Sequence, residues 1–306
     1  MKFRPWFKFS ISFAALGCSI KLISAMFVTS SKSELQSYLN AQKSSGKTVG
    51  FVATMGALHK GHMALIGQSK RETDVTICSI FVNPTQFNNP SDLEKYPRNL
   101  QRDLDLLEIN HCDAVFTPTN EVMYAVDEKA KEYDFGGIEI LMEGQFRPGH
   151  FNGVGTIIYK LAQLIEPDRA YFGKKDYQQL LVIERLVQIE KLPVKVVGCE
   201  IQREENGLAM SSRNERLSEE ARYKSGYIYK QLQWARENFT EKSIPEIHSV
   251  VNRAFSAKPF FDLEYFAIVD AETMQPIESK IDINHVRAFI AVHVEGVRLI
   301  DNIALN

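Results

Sequence analysis

The chain has 306 residues, enough for a large hydrophobic core, and this length favours two domains over one. Its 44% hydrophobic and 24% charged residues are typical of a globular protein, and a formal net charge of -2 excludes a whole-chain attraction to nucleic acid or to a membrane surface. A bound anion must therefore be held by a local arrangement of loops.

The cysteines and the first residues bear on the cellular compartment. Cys18, Cys78, Cys112 and Cys199 are far apart and form no C-x-x-C pair, which favours a reducing compartment. Residues 1–25 carry several basic side chains and an apolar stretch at 9–20 that is too short to span a bilayer as a helix. A signal peptide and a leader before a true start at Met26 both fit this segment.

Strand-like and helical patterns alternate between residues 48 and 201. The pattern predicts strands at 48–54, 75–82, 113–119, 169–173 and 193–201, and helices at 61–72, 93–110, 153–167 and 175–192. Such alternation is typical of a doubly wound α/β domain with a mainly parallel sheet. Ligands of these domains bind at the carboxyl ends of the strands, beside the topological switch point.

The pattern changes after about residue 206. One long helix is predicted at 218–238 with Ser218 as its N-cap, and a second helix near 244–256. Strands are predicted at 261–271, 285–294 and 297–305, the last two joined at Glu295 and Gly296. We therefore expect a domain at 26–203 and a smaller α+β domain at 204–306, with residues 1–25 outside the fold.

The stretch TMGALHKGH (54–62) follows the first of these strands and leads into a helix. Backbone N–H groups at a helix N-terminus form a ready anion site, and imidazoles there can donate to phosphate oxygens. His59 and His62 are therefore candidate phosphate ligands. Two ordinary capping histidines are an equally good interpretation of an isolated H-x-G-H, whereas zinc is disfavoured because no third ligand is close in sequence.

Three further loops follow predicted strands or the expected domain boundary. FVNPTQF places the neutral amides of Asn83 and Gln86 at the sheet edge, although turn chemistry around Pro84 also explains them. The segments YFGKKDYQQ and GLAMSSRN contain cations, hydroxyls and an amide that could bind phosphate. The alternative is that the first is an ordinary solvated turn and the second a polar linker. Their members are Gly173, Lys175, Asp176, Gln179, Ser211, Ser212 and Arg213.

Together these loops predict a nucleotide-using enzyme. An H-x-G-H site with a distal Ser/Arg/Lys loop fits nucleotidyl transfer, in which an oxygen attacks the α-phosphorus and pyrophosphate leaves. The chain lacks G-x-x-x-x-G-K-[ST], which disfavours a P-loop ATPase, and it lacks G-x-G-x-x-G, which disfavours a dehydrogenase.

From about Met26 to Asn306 the chain resembles the pantothenate synthetase (pantoate–β-alanine ligase) family. The matching stretches occur in family order and spacing, and they are TMGALHKGH, SIFVNPTQF, YPRNLQRD, EGQFRPGHFNGV, FGKKDYQQL, GLAMSSRN and RLIDN. The resemblance implies an ATP-dependent ligase with two steps. Pantoate and ATP would give pantoyl-adenylate and pyrophosphate, and β-alanine would then release pantothenate and AMP.

The resemblance also implies a Rossmann-like nucleotidyltransferase domain, a small C-terminal domain, a homodimer and dependence on Mg2+. His62 would be the proton donor, while Lys175, Ser211 and Arg213 would stabilise the transition state and His59 would lie on the phosphates. Gln86 and Gln179 would hold pantoate, with Asn83 beside them as a further candidate, and Asp103 would contact magnesium. ATP would be held by Met55, Gly56, Ala57, Leu58, His59, Lys60, Gly61, His62, Gly173, Lys174, Lys175, Asp176, Gln202, Met210, Ser211, Ser212 and Arg213.

Three positions depart from the family pattern. Lys174 stands where Glu or Gln is usual and would make its loop more basic, Glu200 replaces a proline, and Asn206 replaces an aspartate. ATP and pantoate are cytosolic, so we expect a cytoplasmic protein that starts at Met26. The alternatives are another H-x-G-H nucleotidyltransferase and a non-catalytic nucleotide-binding protein of this fold.

Overall fold

Six parallel strands form the larger sheet of the protein. They are β1 (Phe27–Thr29), β2 (Val49–Thr54), β3 (Val75–Ile80), β4 (Ala114–Phe116), β5 (Arg169–Gly173) and β6 (Lys195–Cys199). The order across the sheet is β1-β4-β3-β2-β5-β6, and every neighbouring pair is parallel. The strands are largely apolar because both faces of the sheet are covered. This confirms the predicted α/β class.

The computed structural model describes residues 26–280 and 285–306. The predicted leader at 1–25, with Cys18, lies outside the described residues. Cys78, Cys112 and Cys199 are free thiols buried in the fold. Within the described ranges, no helix is long and apolar enough to cross a membrane.

Helices cover both faces of the large sheet. Leu65 and Ile66 of the helix after β2 pack with Val52 on one face. Leu161 and Ile183 of two later helices pack on the other face. The helices of this part of the chain are α1 (Lys32–Ser44), α2 (Lys60–Glu72), α3 (Pro90–Glu94), α4 (Leu100–Ile109), α5 (Asn120–Met123), α6 (Glu143–Phe146), α7 (His150–Ile165) and α8 (Tyr177–Ile189).

The C-terminal part combines three helices with a three-stranded antiparallel sheet. Its elements are α9 (Glu219–Lys224), α10 (Gly226–Glu237), α11 (Ile244–Ser256), β7 (Asp262–Asp270), β8 (Val286–Val294) and β9 (Val297–Ala304). A second hydrophobic core lies between this sheet and α10 and α11. Val269, Met274 and Phe289 join the core of the larger sheet instead, so the division at residues 203 and 204 stays a prediction.

Two helices predicted as single segments are each broken. The predicted 93–110 helix is α3 and α4, because Pro97 cannot continue a helical ladder and the Asn99 side chain caps α4 by accepting from Arg102 N–H. The predicted 218–238 helix is α9 and α10, which meet at Ser225. A Cβ at Gly226 would lie 2.3 Å from the carbonyl oxygen of Asn206, so only glycine fits where this helix approaches that loop.

The sheet order places the switch point between β2 and β5. From β2 the chain runs through β3 and β4 toward one edge, whereas β5 and β6 extend the sheet toward the other. The loops after β2 and β5 therefore leave the sheet side by side at its carboxyl edge. In this class of fold, that crevice is where ligands bind.

Candidate active site

A cleft of about 240 Å³ opens at the carboxyl ends of β2 and β5. Most of the predicted site residues line it: Met55, His59, Gly61, His62, Asn83, Gln86, Gly173, Lys175, Asp176, Gln179, Gln202, Met210, Ser211, Ser212 and Arg213. Sequence segments separated by more than a hundred residues thus meet at one place. Gly56, Ala57, Leu58, Lys60 and Lys174 do not line this cleft.

The two histidines form the N-terminal cap of α2. His59 is the N-cap residue, and its Nδ1 accepts from the N–H of Gly61 at 3.1 Å. The N–H of His59 donates in turn to Nδ1 of His62 at 3.3 Å, and the two ring centroids are 4.0 Å apart. A Cβ at Gly61 would lie 2.8 Å from the His59 ring, so glycine is required for this folded-back cap. Capping and phosphate binding are therefore compatible interpretations of the motif.

Burial and neighbouring charge keep both rings neutral. Burial and the nearby charge of Lys175 lower the pKa of His59 to about 4. Burial, the His59 ring and Lys175 lower the pKa of His62 well below its usual value. Both imidazoles are therefore neutral near pH 7. Because Nδ1 of each ring accepts a backbone hydrogen bond, the single ring proton lies on Nε2.

The loop between β2 and α2 is held from beneath by Asp103. Its Oδ2 accepts from Ala57 N–H at 2.9 Å and its Oδ1 from Leu58 N–H at 2.7 Å. A Cβ at Gly56 would lie 3.0 Å from Oδ2, and Gly56 has φ +83, so glycine fits this turn on both counts. Asp103 is 1% exposed and does not line the cleft. The structure therefore shows Asp103 shaping the loop, and its predicted magnesium contact stays a prediction.

Asn83 orients Gln86. The Asn83 Nδ2 donates to Gln86 Oε1 at 3.2 Å and to Gly153 O at 3.1 Å. Its Oδ1 accepts from Tyr124 OH at 2.6 Å and from Thr85 Oγ1 at 3.1 Å. Every hydrogen-bonding position of this amide is therefore engaged within the protein. Asn83 thereby positions Gln86, and its predicted contact with a substrate stays a prediction.

Lys175 is presented to the cleft by the C-terminal strand β9. The 3-10 turn Lys174–Asp176 follows β5, and Asn302 Nδ2 donates to the carbonyl oxygens of Lys174 and Lys175 at 3.0 and 2.8 Å. The neighbouring Asp301 pairs with Arg203 through two hydrogen bonds of 2.6 and 3.0 Å. The RLIDN motif thus acts as a buried support for the lysine turn.

Two of the three departures from the family pattern contact each other. Lys174 forms an ion pair with Glu200 at the rim of the cleft. The expected increase in the basic character of this loop is therefore offset by Glu200. At the third departure, Asn206 donates through Nδ2 to the carbonyl oxygens of Arg222 and Tyr223 at 2.8 and 2.9 Å. An aspartate cannot make these donations, so the amide suits this position.

Arg213 is engaged by a carboxylate. Its Nη2 donates to Asp92 Oδ2 at 2.8 Å, and Arg216 donates to the other oxygen of Asp92 at 3.0 Å. Ser211 is the N-cap of the following 3-10 turn and accepts from Arg213 N–H at 3.3 Å. Ser211 and Arg213 both line the cleft, and Asp92 in α3 fastens the loop that carries them.

The charged residues of EGQFRPGH (143–150) have no predicted role, yet they border the cleft. His150 is 5% exposed, and its Nδ1 donates to the carbonyl oxygen of Gln86 at 2.9 Å. Arg147 Nη1 lies 3.1 Å from Nε2 of the same ring, where it donates. Burial and Arg147 lower the pKa of His150 to about 3. Three titratable side chains beside Gly and Pro in eight residues are the signal by which sequence reasoning could have found this loop.

Comparison with known proteins places these features in a family context. The family model described as Pantoate-beta-alanine ligase matches residues 27–304. The pantothenate synthetase of Flavobacterium psychrophilum is 47% identical, over 92% of this chain and 100% of the relative. That of Christiangramia forsetii is 50% identical, over 86% of this chain and 94% of the relative.

Two solved structures are similar over nearly the whole chain. The pantothenate synthetase of Thermus thermophilus is 41% identical with a TM-score of 0.85, and the match covers 92% of this chain and 99% of that one. The pantoate-beta-alanine ligase of Francisella tularensis, complexed with beta-gamma ATP and beta-alanine, is 35% identical with a TM-score of 0.75. That match covers 92% of this chain and 98% of the solved one.

Proposed function

The chain belongs to the pantoate–beta-alanine ligase family, and we propose that the cleft described above joins pantoate to β-alanine in two steps with consumption of ATP. One observation carries this assignment of the site: the His59–His62 cap and Lys175 meet Gln86 and Gln179 in one cleft at the carboxyl ends of β2 and β5. Groups that can donate hydrogen bonds to phosphate thus lie beside neutral amides that can bind pantoate.

In the first step, a carboxylate oxygen of pantoate attacks the α-phosphorus of ATP, and the bond to the leaving pyrophosphate breaks. Negative charge grows on that leaving group. We assign its stabilisation to the Nε2–H groups of His59 and His62 and to the ammonium of Lys175. The neutral rings donate without prior protonation. Ser211 and Arg213 complete the phosphate site, which requires Arg213 to exchange part of its contact with Asp92 for phosphate oxygens.

In the second step, the amine of β-alanine attacks the acyl carbon of pantoyl-adenylate, and AMP leaves. The amides of Gln86 and Gln179 hold the hydroxyl and acyl oxygens of the pantoyl group in this scheme, since a neutral amide can donate and accept without adding charge. Asn83 fixes the direction of Gln86. The apolar side chains of Phe151 and Val154 line the same cleft and suit the carbon skeleton.

Magnesium would arrive with the nucleotide. The residues that the structure describes contain no group of three or more His, Cys, Asp or Glu side chains that could hold a metal ion. Both oxygens of Asp103 are engaged by backbone N–H groups. This donor set fits an ion bound through substrate phosphates and water, as is usual for Mg2+ in nucleotide sites.

The homodimer and the cytoplasmic location implied by the family stay predictions. Light scattering of the purified protein tests the first, and fractionation of cells that express the full sequence tests the second. Mass spectrometry of the native N-terminus tests the proposed start at Met26.

The decisive experiment measures two half-reactions. Exchange of labelled pyrophosphate into ATP should require pantoate, and AMP release should then require β-alanine. Exchange driven by a phosphorylated alcohol instead of pantoate would favour another H-x-G-H nucleotidyltransferase. ATP binding without either reaction would favour a non-catalytic protein of this fold and overturn the proposal.

A further inference from the structure

Arg147 lies at the junction of two cavities. It follows α6 and lines both the cleft and a neighbouring cavity of about 360 Å³. Its side chain is only 18% exposed. The guanidinium is 3.5 Å from the carbonyl oxygen of Gln86 through Nη2, and Nη1 contacts His150. The guanidinium is thus held beside Gln86, the residue to which we assign binding of the pantoyl group.

No carboxylate in the described ranges makes a close pair with Arg147. The nearest, Glu143, is 3.8 Å away. Both Glu143 oxygens already accept from Arg298, at 2.7 and 2.8 Å, and one also accepts from Tyr265 OH at 2.9 Å. Burial, together with the nearby Arg213, lowers the pKa of Arg147 to about 10. A largely buried cation with neutral close partners is unfavourable unless an anion joins it, so the position suits an anionic ligand group.

Arg147 contacts the part of the cleft that we assign to pantoate. Its Nη2 lies 3.5 Å from the carbonyl oxygen of Gln86, and its Nη1 donates to His150, whose ring donates to that same carbonyl. An anion bound by Arg147 therefore lies beside Gln86, at the acyl end of the cleft. Of the substrates, β-alanine brings a carboxylate to that end, two methylene groups from its reacting nitrogen.

We propose that Arg147 binds the carboxylate of the amine substrate and thereby selects amino acids over simple amines. This proposal rests on the proposed function and names the recognition group for its second step. A guanidinium suits the role because its planar donors match a carboxylate. Glu143 acts through Arg147, and His150 contacts both Arg147 and Gln86; both are positioning residues.

The test compares two amines in three enzymes. β-Alanine and propylamine carry the same three-carbon amine skeleton, but propylamine has a methyl group where β-alanine has its carboxylate. Amide formation from each is measured at saturating ATP and pantoate in the unaltered protein, in Arg147→Lys and in Arg147→Met. We expect kcat/KM for β-alanine to fall on the order of 100-fold in Arg147→Met and less in Arg147→Lys, because a close charged pair is lost. The value for propylamine should stay the same in all three.

Pantoate-dependent pyrophosphate exchange, measured in the same variants, serves as the control for folding and for the first step. It should be nearly unchanged. Lys95→Gln removes a cation from the neighbouring cavity and should leave kcat/KM for β-alanine unchanged. An equal loss for both amines, or a raised KM for pantoate in the exchange, would make Arg147 only a support for Gln86. A raised KM for pyrophosphate alone would place phosphate there.

An equal loss for both amines, a raised KM for pantoate and a raised KM for pyrophosphate would each overturn the proposal. Absence of pantoate-dependent exchange in the unaltered protein is a different outcome, because it overturns the proposed function first and this subsite with it.

Discussion

Ser212 Oγ donates a hydrogen bond of 3.0 Å to the carbonyl oxygen of Ala57 across 155 residues of sequence. Both residues are nearly buried, and Ala57 has φ 48, in the left-handed region. The bond therefore fastens an unusual turn of the loop after β2 to the loop that carries Ser211 and Arg213. Two loops to which we assign ATP binding are thus joined by a direct hydrogen bond.

Ser212→Ala should separate these loops. The buried carbonyl of Ala57 loses its partner, which should lower the free energy of unfolding by about 1 kcal/mol and raise the KM for ATP. Urea unfolding and pyrophosphate exchange measure the two effects. Ser211→Ala is the matched control, since its hydroxyl lines the cleft. Because this hydroxyl also caps the following 3-10 turn, its loss should cost a similar amount of stability. Ser211→Ala should nevertheless slow adenylation more than Ser212→Ala does, and the reverse order of rates would contradict these assignments.

His62→Ala should lower the adenylation rate by orders of magnitude while the fold survives. The variant loses the Nε2–H donor and also the acceptor for the His59 N–H. His62→Gln separates these effects, because glutamine at this helix position can still accept that bond. We expect both variants to be slow in pyrophosphate exchange, with a loss of about 1 kcal/mol of stability in His62→Ala only. Near-normal turnover in either variant would refute the role of His62.

Asp103→Asn tests whether this carboxylate shapes the loop or binds metal. An amide can accept from only one of the two N–H groups of Ala57 and Leu58 and places its own NH2 against the other. The free energy of unfolding should fall by roughly 1–3 kcal/mol. The magnesium concentration for half-maximal exchange should stay the same. A large rise in that concentration without destabilisation would support the predicted metal contact.

His150 should make the protein sensitive to acid. Its pKa is about 3 in the folded state and about 6.5 in an unfolded chain. Between these values the unfolded state binds more protons, so the free energy of unfolding falls as the pH falls below about 6.5. The loss attributable to this residue between pH 7 and 4 is on the order of 3 kcal/mol.

In His150→Gln, the decrease between pH 7 and 4 should be smaller by about that amount. Urea unfolding at several pH values measures it for both proteins. Parallel pH dependences in the two would show that His150 does not titrate as its burial requires. His150→Ala should raise the KM for pantoate, because the carbonyl of Gln86 then loses its donor.

The site was partly predictable because the residues that line the cleft are placed by short-range sequence patterns. His59, Gln86, Lys175 and Ser211 each follow a strand or begin a helical turn, where backbone geometry presents them at the sheet edge. The supports were not predictable. Asp103, Asn302 and His150 act on backbone groups 45 to 128 residues away, and no periodicity relates such positions.

The sequence by itself determined the alternation of strands and helices, and hence the parallel sheet and the edge at which the motifs gather. Periodicity and turn chemistry act over a few residues, so they survive in the linear pattern. Only the tertiary structure decided where the helices break, that Asn83 orients the side chain of Gln86, and that the charge of Glu200 offsets that of Lys174. It also left Arg147 without a close carboxylate partner in the described structure. Those outcomes depend on which distant side chains compete for one partner, and that competition exists only once the chain is packed.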